Sequence, residues 1–262
     1  MLSDPRSDRV KGIAKLNQKD ARYETGLFLL EGFQGLKEVL PHTDLLVEVF
    51  ATSDAMYNHP ELFRGIKAPV HEVSDRVMDR IADTRSPQGV VSVVHQLDVD
   101  LELVINDKPQ LVAVLDQVRD PGNAGTILRA ADAAGADGIV FSKDSVDLYN
   151  PKLVRSTTGS LFHLPTVIDA DSGNALADLK AAGLQVFAAA GGGKPITEMS
   201  NQLAAPTVWL FGNEAHGLSK ELMELADEVV GLPIYGSAES LNLATAASVC
   251  LYQSAFAQNQ NR

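Results

Sequence analysis

The pattern of apolar and polar positions divides the chain into two stretches of alternating strands and helices. In the first stretch, short apolar runs bounded by Gly, Pro or polar residues predict strands. These predicted strands cover 26–31, 45–50, 70–73 and 89–95. Apolar residues at helical spacing predict helices over 6–20, 33–40 and 74–81. We therefore expect a small N-terminal α/β domain over residues 1–98, followed by a polar linker over 99–109.

The second stretch, residues 110–262, alternates strands and helices more regularly. Its first strand, 110–116, is continuously apolar, which is typical of a parallel sheet covered on both faces. Further strands are predicted at 138–141, 184–190, 208–211 and 228–232. Such alternation predicts the α/β class with a parallel sheet and helices on both sides. The glycines of segment 191–194 predict a flexible loop.

Three polar loops follow strands of this second domain: 120–129, 212–217 and 232–242. Ligands of open α/β sheets bind beyond the carboxyl ends of the strands, so the three loops can meet at one site. Their polar side chains are the candidate catalytic residues: Asn123, Arg129, Glu214, Ser240 and Asn242. Ser240 and Asn242 also suit the start of the Ala-rich helix that follows them.

Several kinds of chemistry are disfavoured by the sequence. The six His residues are scattered and the single Cys cannot form a cluster, so no metal site is expected. No G-x-S-x-G motif is present for a hydrolase nucleophile. The loop after the first strand of the second domain does not match the G-x-G-x-x-G fingerprint of dinucleotide-binding enzymes, which argues against an oxidoreductase.

Charge adds one candidate interaction surface. The net charge is −12, which argues against a general binder of polyanions. Residues 1–22 nevertheless carry six basic and three acidic side chains. We expect Lys11, Lys15 and Lys19 on this basic helix to contact RNA phosphates, with a solvated helix face as the alternative.

The sequence predicts a cytoplasmic protein without membrane contact. The reasons are the lone Cys250, the lack of a membrane-length apolar run and the lack of a signal peptide.

The three loops together resemble the three motifs of the SpoU (TrmH) branch of the SPOUT RNA 2′-O-ribose methyltransferases. The first motif is Asp120-Pro-Gly-Asn-Ala-Gly-Thr-Ile-Leu-Arg129, and the second is Phe211-Gly-Asn-Glu214 with Gly217-Leu-Ser219. The third is Leu232-Pro-Ile followed by Ser240-Leu-Asn-Leu-Ala244. All three occur in the family's order, and the resemblance covers about 110–258. Phe28-Leu-Leu-Glu-Gly32 and Gln88-Gly-Val90 resemble the ribosomal-protein-like substrate-binding domain that often accompanies it.

This resemblance implies a fold and a cofactor. Members of the family have a deep C-terminal trefoil knot, which no rule based on sequence pattern proposes. They bind S-adenosylmethionine in that knot, and the matching cofactor-binding residues here are Gly212, Leu232, Ile234 and Leu241. They are homodimers, in which Arg129 would work near the partner's cofactor.

The resemblance also implies methylation of an RNA ribose 2′-hydroxyl. We expect Arg129 to stabilise the developing alkoxide, because a guanidinium remains protonated and is a poor base. Lys152 and Arg155 are further candidates for holding RNA phosphates. Ribosomal RNA is the expected substrate, because the separate N-terminal domain favours a structured target. Transfer RNA, or a non-catalytic role as an RNA-binding assembly factor, remains the alternative.

Overall fold

A computed structural model describes residues 1–260, which form ten strands and twelve α-helices. Residues 261 and 262, the end of the predicted second domain, lie outside that range. The strands are β1 (Leu27–Glu31), β2 (Leu46–Ala51), β3 (Val70–Glu72), β4 (Val90–His95), β5 (Leu111–Leu115), β6 (Gly138–Ser142), β7 (Thr166–Ala170), β8 (Gln185–Pro195), β9 (Thr207–Phe211) and β10 (Glu228–Gly231). The helices are α1 (Asp8–Ala14), α2 (Lys19–Thr25), α3 (Phe33–Val39), α4 (Ser53–Asn58), α5 (Pro60–Phe63), α6 (Asp75–Ile81), α7 (Leu101–Asn106), α8 (Pro121–Ala133), α9 (Pro151–Thr157), α10 (Ser172–Ala181), α11 (Lys220–Leu225) and α12 (Leu243–Asn259).

The chain forms two compact units, and the first is not continuous in sequence. It contains residues 1–97 and also residues 147–162, whereas the second contains 98–146 and the chain from residue 163 onward. This division differs from the boundaries expected from the sequence, which kept 110–262 together. The physical reason is that α9 packs on β1 of the first unit, where Phe28 and Tyr149 bring their rings within 4.8 Å of each other.

The first unit is built on a four-stranded sheet of order β1-β4-β2-β3. Strand β4 is antiparallel to both of its neighbours, and only the β2–β3 pair is parallel. All four strands predicted for this part of the sequence are therefore present. Segment 147–162 is tied to this unit by an ion pair between the almost fully buried side chains of Arg22 and Asp147.

The predicted N-terminal helix over 6–20 is interrupted. Helix α1 ends at Ala14, a 3-10 turn covers Lys15–Asn17, and α2 begins only at Lys19. The side-chain amide of Asn17 donates to the carbonyl of Ile81 at 2.9 Å, which draws the chain away from a helical path. The basic residues of this segment therefore do not share one helix.

The second unit is built on a six-stranded sheet of order β10-β8-β9-β5-β6-β7, in which every neighbouring pair is parallel. Strands β5, β6 and β9 are buried along their whole length, as their continuous apolar sequences predicted. The α/β class and the parallel sheet are thus confirmed. Helices α8 and α12 pack against each other, and α12 also contacts β9 and β5 at the centre of the sheet.

Two further elements of the second unit differ from expectation. The polar linker contains helix α7, and its Val104 is 1% exposed within the core because the helix buries an apolar stripe. Segment 191–194 is not a flexible loop but continues β8 through Pro195. A Cβ on Gly193 would lie 2.6 Å from the carbonyl oxygen of Val229, so the glycine allows β8 and β10 to approach closely. Within residues 1–260, no helix combines the length and the apolar character needed to cross a membrane.

Candidate active site

The first polar loop becomes the start of helix α8. Asp120 is the N-cap residue, and its carboxylate accepts a hydrogen bond from the backbone N–H of Asn123 at 2.8 Å. Pro121 occupies the first turn, where a backbone N–H is not needed. This local chemistry fixes Asn123 in the first turn, at the carboxyl-terminal side of the fully buried strand β5.

The second loop is held in shape by the side chain of Asn213. Its Nδ2 donates to the carbonyl of Gln117 at 2.7 Å, and its Oδ1 accepts from the N–H groups of Ala215 and His216 at 2.9 and 3.2 Å. Asn213 was not among the predicted site residues, although an Asn that begins a polar turn is the available signal for this role. Its amide bridges the loops after β5 and β9.

Glu214 connects that second loop to the first. Its carboxylate accepts hydrogen bonds from the backbone N–H groups of Arg119 and Asp120 at 3.2 and 3.1 Å, and from Asn123 Nδ2 at 3.3 Å. Burial opposes ionisation, but these bonds and one from its own backbone outweigh it and lower the pKa of Glu214 below the ordinary 4.5. The carboxylate is therefore ionised at neutral pH and acts as an acceptor only.

The third loop joins the same cluster through Asn242. Its Nδ2 donates to Asn123 Oδ1 at 2.9 Å, while its Oδ1 accepts from the N–H groups of Ala244 and Thr245 at 2.9 and 3.2 Å. Asn242 is thus the N-cap of α12, as its position in the sequence predicted. One chain of side-chain hydrogen bonds, Glu214–Asn123–Asn242, now runs through all three loops.

A cavity of about 170 Å³ lies beside this third loop. Three of the four predicted cofactor-binding residues, Leu232, Ile234 and Leu241, line it, and so does Ser240. Gly212 does not, although its neighbour Phe211 does. The wall also includes residues that were not predicted to bind the cofactor: Ala189, Ala190, Gly191, Phe211, Val230, Glu239, Leu243, Ala246 and Cys250.

Free backbone groups distinguish this cavity from an ordinary apolar crevice. Within the described chain, the backbone of residues 234–241 makes no hydrogen bond, so its N–H and C=O groups are available to a ligand. Gly212 has a structural role, because a Cβ there would lie 2.5 Å from the backbone of Gly217. Burial raises the pKa of the Cys250 thiol to about 12, so this part of the wall is uncharged and unreactive.

Arg129 lies apart from the hydrogen-bonded cluster. Its side chain is exposed on α8, two turns after Pro121, and makes no hydrogen bond or ion pair with any of residues 1–260. Its helical position places it on the same face as Thr126, which is also exposed. The structure therefore brings together Asn123, Glu214 and Asn242 but leaves Arg129 without a partner from the described part of its own chain.

A comparison of the sequence with protein-family models identifies the family of the chain. Residues 110–252 match the model described as the SpoU rRNA Methylase family. The chain belongs to the SpoU rRNA methylase family. Residues 7–92 match a second model, described as the MRM3-like substrate binding domain. The resemblance proposed from the three motifs is therefore confirmed.

Relatives of this SpoU protein match it along nearly its full length. The Bacillus subtilis "23S rRNA (guanosine(2553)-2′-O)-methyltransferase RlmP" is 32% identical, and the alignment covers 96% of this chain and 97% of the relative. The crystal structure of an AdoMet-bound rRNA methyltransferase from Sinorhizobium meliloti has a TM-score of 0.83 at 32% identity, covering 97% and 96% of the two chains. The SpoU methyltransferase AviRb from Streptomyces viridochromogenes also has a TM-score of 0.83, at 28% identity, covering 98% and 99%.

The candidate RNA-binding residues of this SpoU protein differ in their surroundings. Arg155 is held by Asp83 at 2.7 Å and by Glu31 at 3.7 Å, so its charge is already compensated. Lys11 forms an exposed ion pair with Asp8 at 3.3 Å, and Lys19 lies over the ring of Tyr23. Lys15 and Lys152 complete the predicted set. Lys15 is exposed at the C-cap of α1, and Lys152 lies in the first turn of α9.

Among residues 1–260, no group of His, Cys, Asp and Glu is arranged to hold a metal ion.

Proposed function

We propose that this chain transfers a methyl group from S-adenosylmethionine to a ribose 2′-hydroxyl of ribosomal RNA. The observation that carries this proposal is the Glu214–Asn123–Asn242 hydrogen-bond chain beside the cavity of the third loop, in a member of the SpoU family. Two relatives that each cover more than nine tenths of this chain are named as 23S rRNA methyltransferases, which favours ribosomal RNA. A solved structure of a protein that methylates C/U34 on tRNA aligns with only 59% of this chain, at a TM-score of 0.52.

The cavity has the chemistry that a bent S-adenosylmethionine requires. Its apolar wall, with Leu232 and Val230, suits an adenine ring, and the free backbone of 234–241 can donate to and accept from the polar parts. When bound, the cofactor supplies a methyl group on an activated sulfonium. Isothermal titration of the full chain with S-adenosylmethionine tests this assignment, and a folded chain that binds none contradicts it.

The residues of the chain then have separate roles in the proposed reaction. Asn123, Glu214 and Asn242 hold the three loops in register and thereby position the target hydroxyl. Ser240, which lines the cavity on an exposed loop, can donate a hydrogen bond there. Arg129 stabilises the negative charge that develops on the 2′-oxygen as its proton leaves.

We also propose that the active form is a homodimer with a C-terminal trefoil knot. An unpaired Arg129 supports a site completed by a second copy, and so do the exposed apolar side chains of Val249 and Phe256 on α12, which are 37% and 56% accessible. The knot is supported by the path of the C-terminal segment, which leaves β10 at the edge of the sheet and returns as α12 against α8 and the central strands β9 and β5. We expect the enzyme in the cytoplasm, with its RNA.

The deciding experiment is a map of ribose methylations in ribosomal RNA. A strain that lacks the gene should lose one 2′-O-methyl group, and the purified protein with S-adenosylmethionine should restore it to that RNA. Loss of a methyl group from transfer RNA instead would contradict the substrate. An intact methylation map in a strain with a ribosome-assembly defect would favour the non-catalytic assembly factor.

A further inference from the structure

Two cavities of the first unit share the side chain of Gln88. One has a volume of about 260 Å³ and is lined by residues that include Glu31, Gln34 and Arg155. The other has a volume of about 360 Å³, with Phe33 and His59 in its wall. These volumes lie near the lower end of ordinary ligand pockets, about 300 to 1,000 Å³, which suits sites that each take one small planar group.

Gln88 is held in place with its donor group unused. Its Oε1 accepts from the backbone N–H of Phe33 at 3.0 Å, and its Nε2 has no partner among residues 1–260. Two glycines with positive φ make this placement possible. A Cβ on Gly32 would lie 2.8 Å from Gln88 Oε1, and one on Gly89 would lie 2.7 Å from Thr52 Oγ1. The Glu31-Gly32 and Gln88-Gly89 pairs of the sequence thus shape the two cavities.

An aromatic pair forms part of the second cavity. The rings of Phe33 and His59 have centroids 4.0 Å apart and are tilted by 44°. Aromatic side chains of this kind stack against unpaired RNA bases, a contact that tolerates different base sequences. The carboxylates of Asp54 and Asp79 line the same cavity without a hydrogen bond or ion pair from any described residue, so they can accept from a base amino group.

Three arginines of this unit are already compensated by carboxylates. Arg9 is paired with Glu48 at 2.7 Å, and Arg22 is buried against Asp147. Arg155 is also held by carboxylates. Affinity for phosphates requires free, clustered cations, and the chain as a whole carries a net charge of −12. These three arginines are therefore poorly placed to bind phosphates, whereas the two cavities offer contacts that need no ion pair.

We propose that the two cavities take unpaired bases from a loop or bulge of the RNA substrate. Gln88 Nε2 donates to a base edge, and the Phe33–His59 pair stacks on a base that carries an amino group. This proposal rests on the proposed function, because it specifies how the RNA of that reaction is selected. It assigns RNA selection to base insertion rather than to the basic residues of the N-terminal segment.

The test uses the full chain with unmodified ribosomal RNA from a strain that lacks the gene. His59→Leu keeps an apolar contact with Phe33 and removes the stacking ring. We expect about a tenfold or larger rise in the KM for RNA, the usual effect of losing one stacked base. The salt dependence of that KM should keep its slope, because no phosphate contact is lost. The kcat and the affinity for S-adenosylmethionine should be unchanged.

The matched control is His42→Leu. His42 stacks on Phe162 in the same unit, at 5.8 Å between ring centroids, but lines neither cavity. It should leave the KM for RNA at its wild-type value. Gln88→Glu keeps the acceptor for Phe33 N–H and loses the donor, so it should also raise that KM. Gln18→Glu adds the same charge to the same unit outside both cavities, and it should have a much smaller effect.

A wild-type KM for both cavity variants, or a flatter salt dependence for His59→Leu, would overturn the proposal. A rise equal to that of the His42→Leu or Gln18→Glu control would do the same, since it would indicate a general structural effect. If the wild-type chain methylates no ribosomal RNA, the proposed function fails first. Direct filter binding of that RNA by the same variants then still decides whether the cavities bind it.

Discussion

Replacing Glu214 by Gln should uncouple the second loop from the start of α8. The carboxylate accepts three hydrogen bonds from other residues, at 3.1 to 3.3 Å. A Gln side chain offers one oxygen and turns an NH₂ group toward a donor, so at least one of the three bonds must be lost. Because the bonds are long and the side chain is exposed, we take the lower part of the usual range, about 1 kcal/mol.

A loss of about 1 kcal/mol should lower the midpoint of thermal unfolding by about 2 to 4 °C for a protein of this size class. If the same free energy orders the loops that bind the cofactor, the dissociation constant for S-adenosylmethionine should rise about fivefold. Differential scanning fluorimetry and isothermal titration measure the two effects. Glu224→Gln is the matched control, since Glu224 is an exposed Glu of the same unit that has no hydrogen bond or ion pair within residues 1–260.

The pH dependence provides an independent check of this reasoning. The folded-state pKa of Glu214 is lowered from 4.5, so its stabilising effect is fully present above that pH. It disappears as the pH falls through the lowered pKa, because the protonated acid no longer accepts the same bonds. The difference in unfolding free energy between wild type and Glu214→Gln should therefore be constant near neutral pH and shrink below 4.5. Equal midpoints at neutral pH, or a difference that persists in acid, would refute the assignment.

Three further predictions concern the remaining loops and the proposed dimer. Asn242→Asp keeps the cap of α12 but loses the hydrogen bond to Asn123, so methyl transfer should fall while thermal stability stays near wild type. Asn242→Ala also removes the cap, and it should lower the free energy of unfolding by about 1 kcal/mol more. Arg129→Ala should lower single-turnover kcat by about a hundredfold or more without changing the thermal midpoint, and a kcat near wild type would remove Arg129 from the mechanism. Phe256→Glu should give a monomer by light scattering if α12 forms the dimer contact, whereas an unchanged mass would exclude that contact.

The sequence predicted the candidate site better than the way in which it is held together. Polar residues after buried parallel strands indicated that Asn123, Glu214 and Asn242 would meet, because strand ends share one edge of a sheet. For Asn213 it offered only an Asn at the start of a polar turn, because the contact with Gln117 joins residues almost a hundred positions apart. Contacts between residues so far apart leave no local periodicity, so they become visible only in three dimensions.

The same limit explains the differences in the fold. The apolar runs predicted every strand except β7, but α7 resembled a linker because its apolar residues are few and the surrounding segment is polar. Gly191–Lys194 resembled a loop because glycines usually mark turns, whereas here they allow two strands to come together. Helix α9 follows a strand of the second unit, and sequence order alone could not predict that it packs on β1.

The insertion of residues 147–162 into the first unit has a consequence for synthesis on the ribosome. When residue 97 has left the exit tunnel, the four strands of this unit are present, but the partner of Arg22 and the aromatic partner of Phe28 have not yet been made. Those arrive with a segment that ends 65 residues later, at residue 162. At about 5 to 20 residues per second, the nascent unit waits roughly 3 to 13 seconds for this segment, and until Asp147 is made Arg22 lacks its carboxylate partner. The first unit therefore completes its packing only after residues 98–146 of the second unit have been synthesised. A chaperone can hold the incomplete unit during that interval.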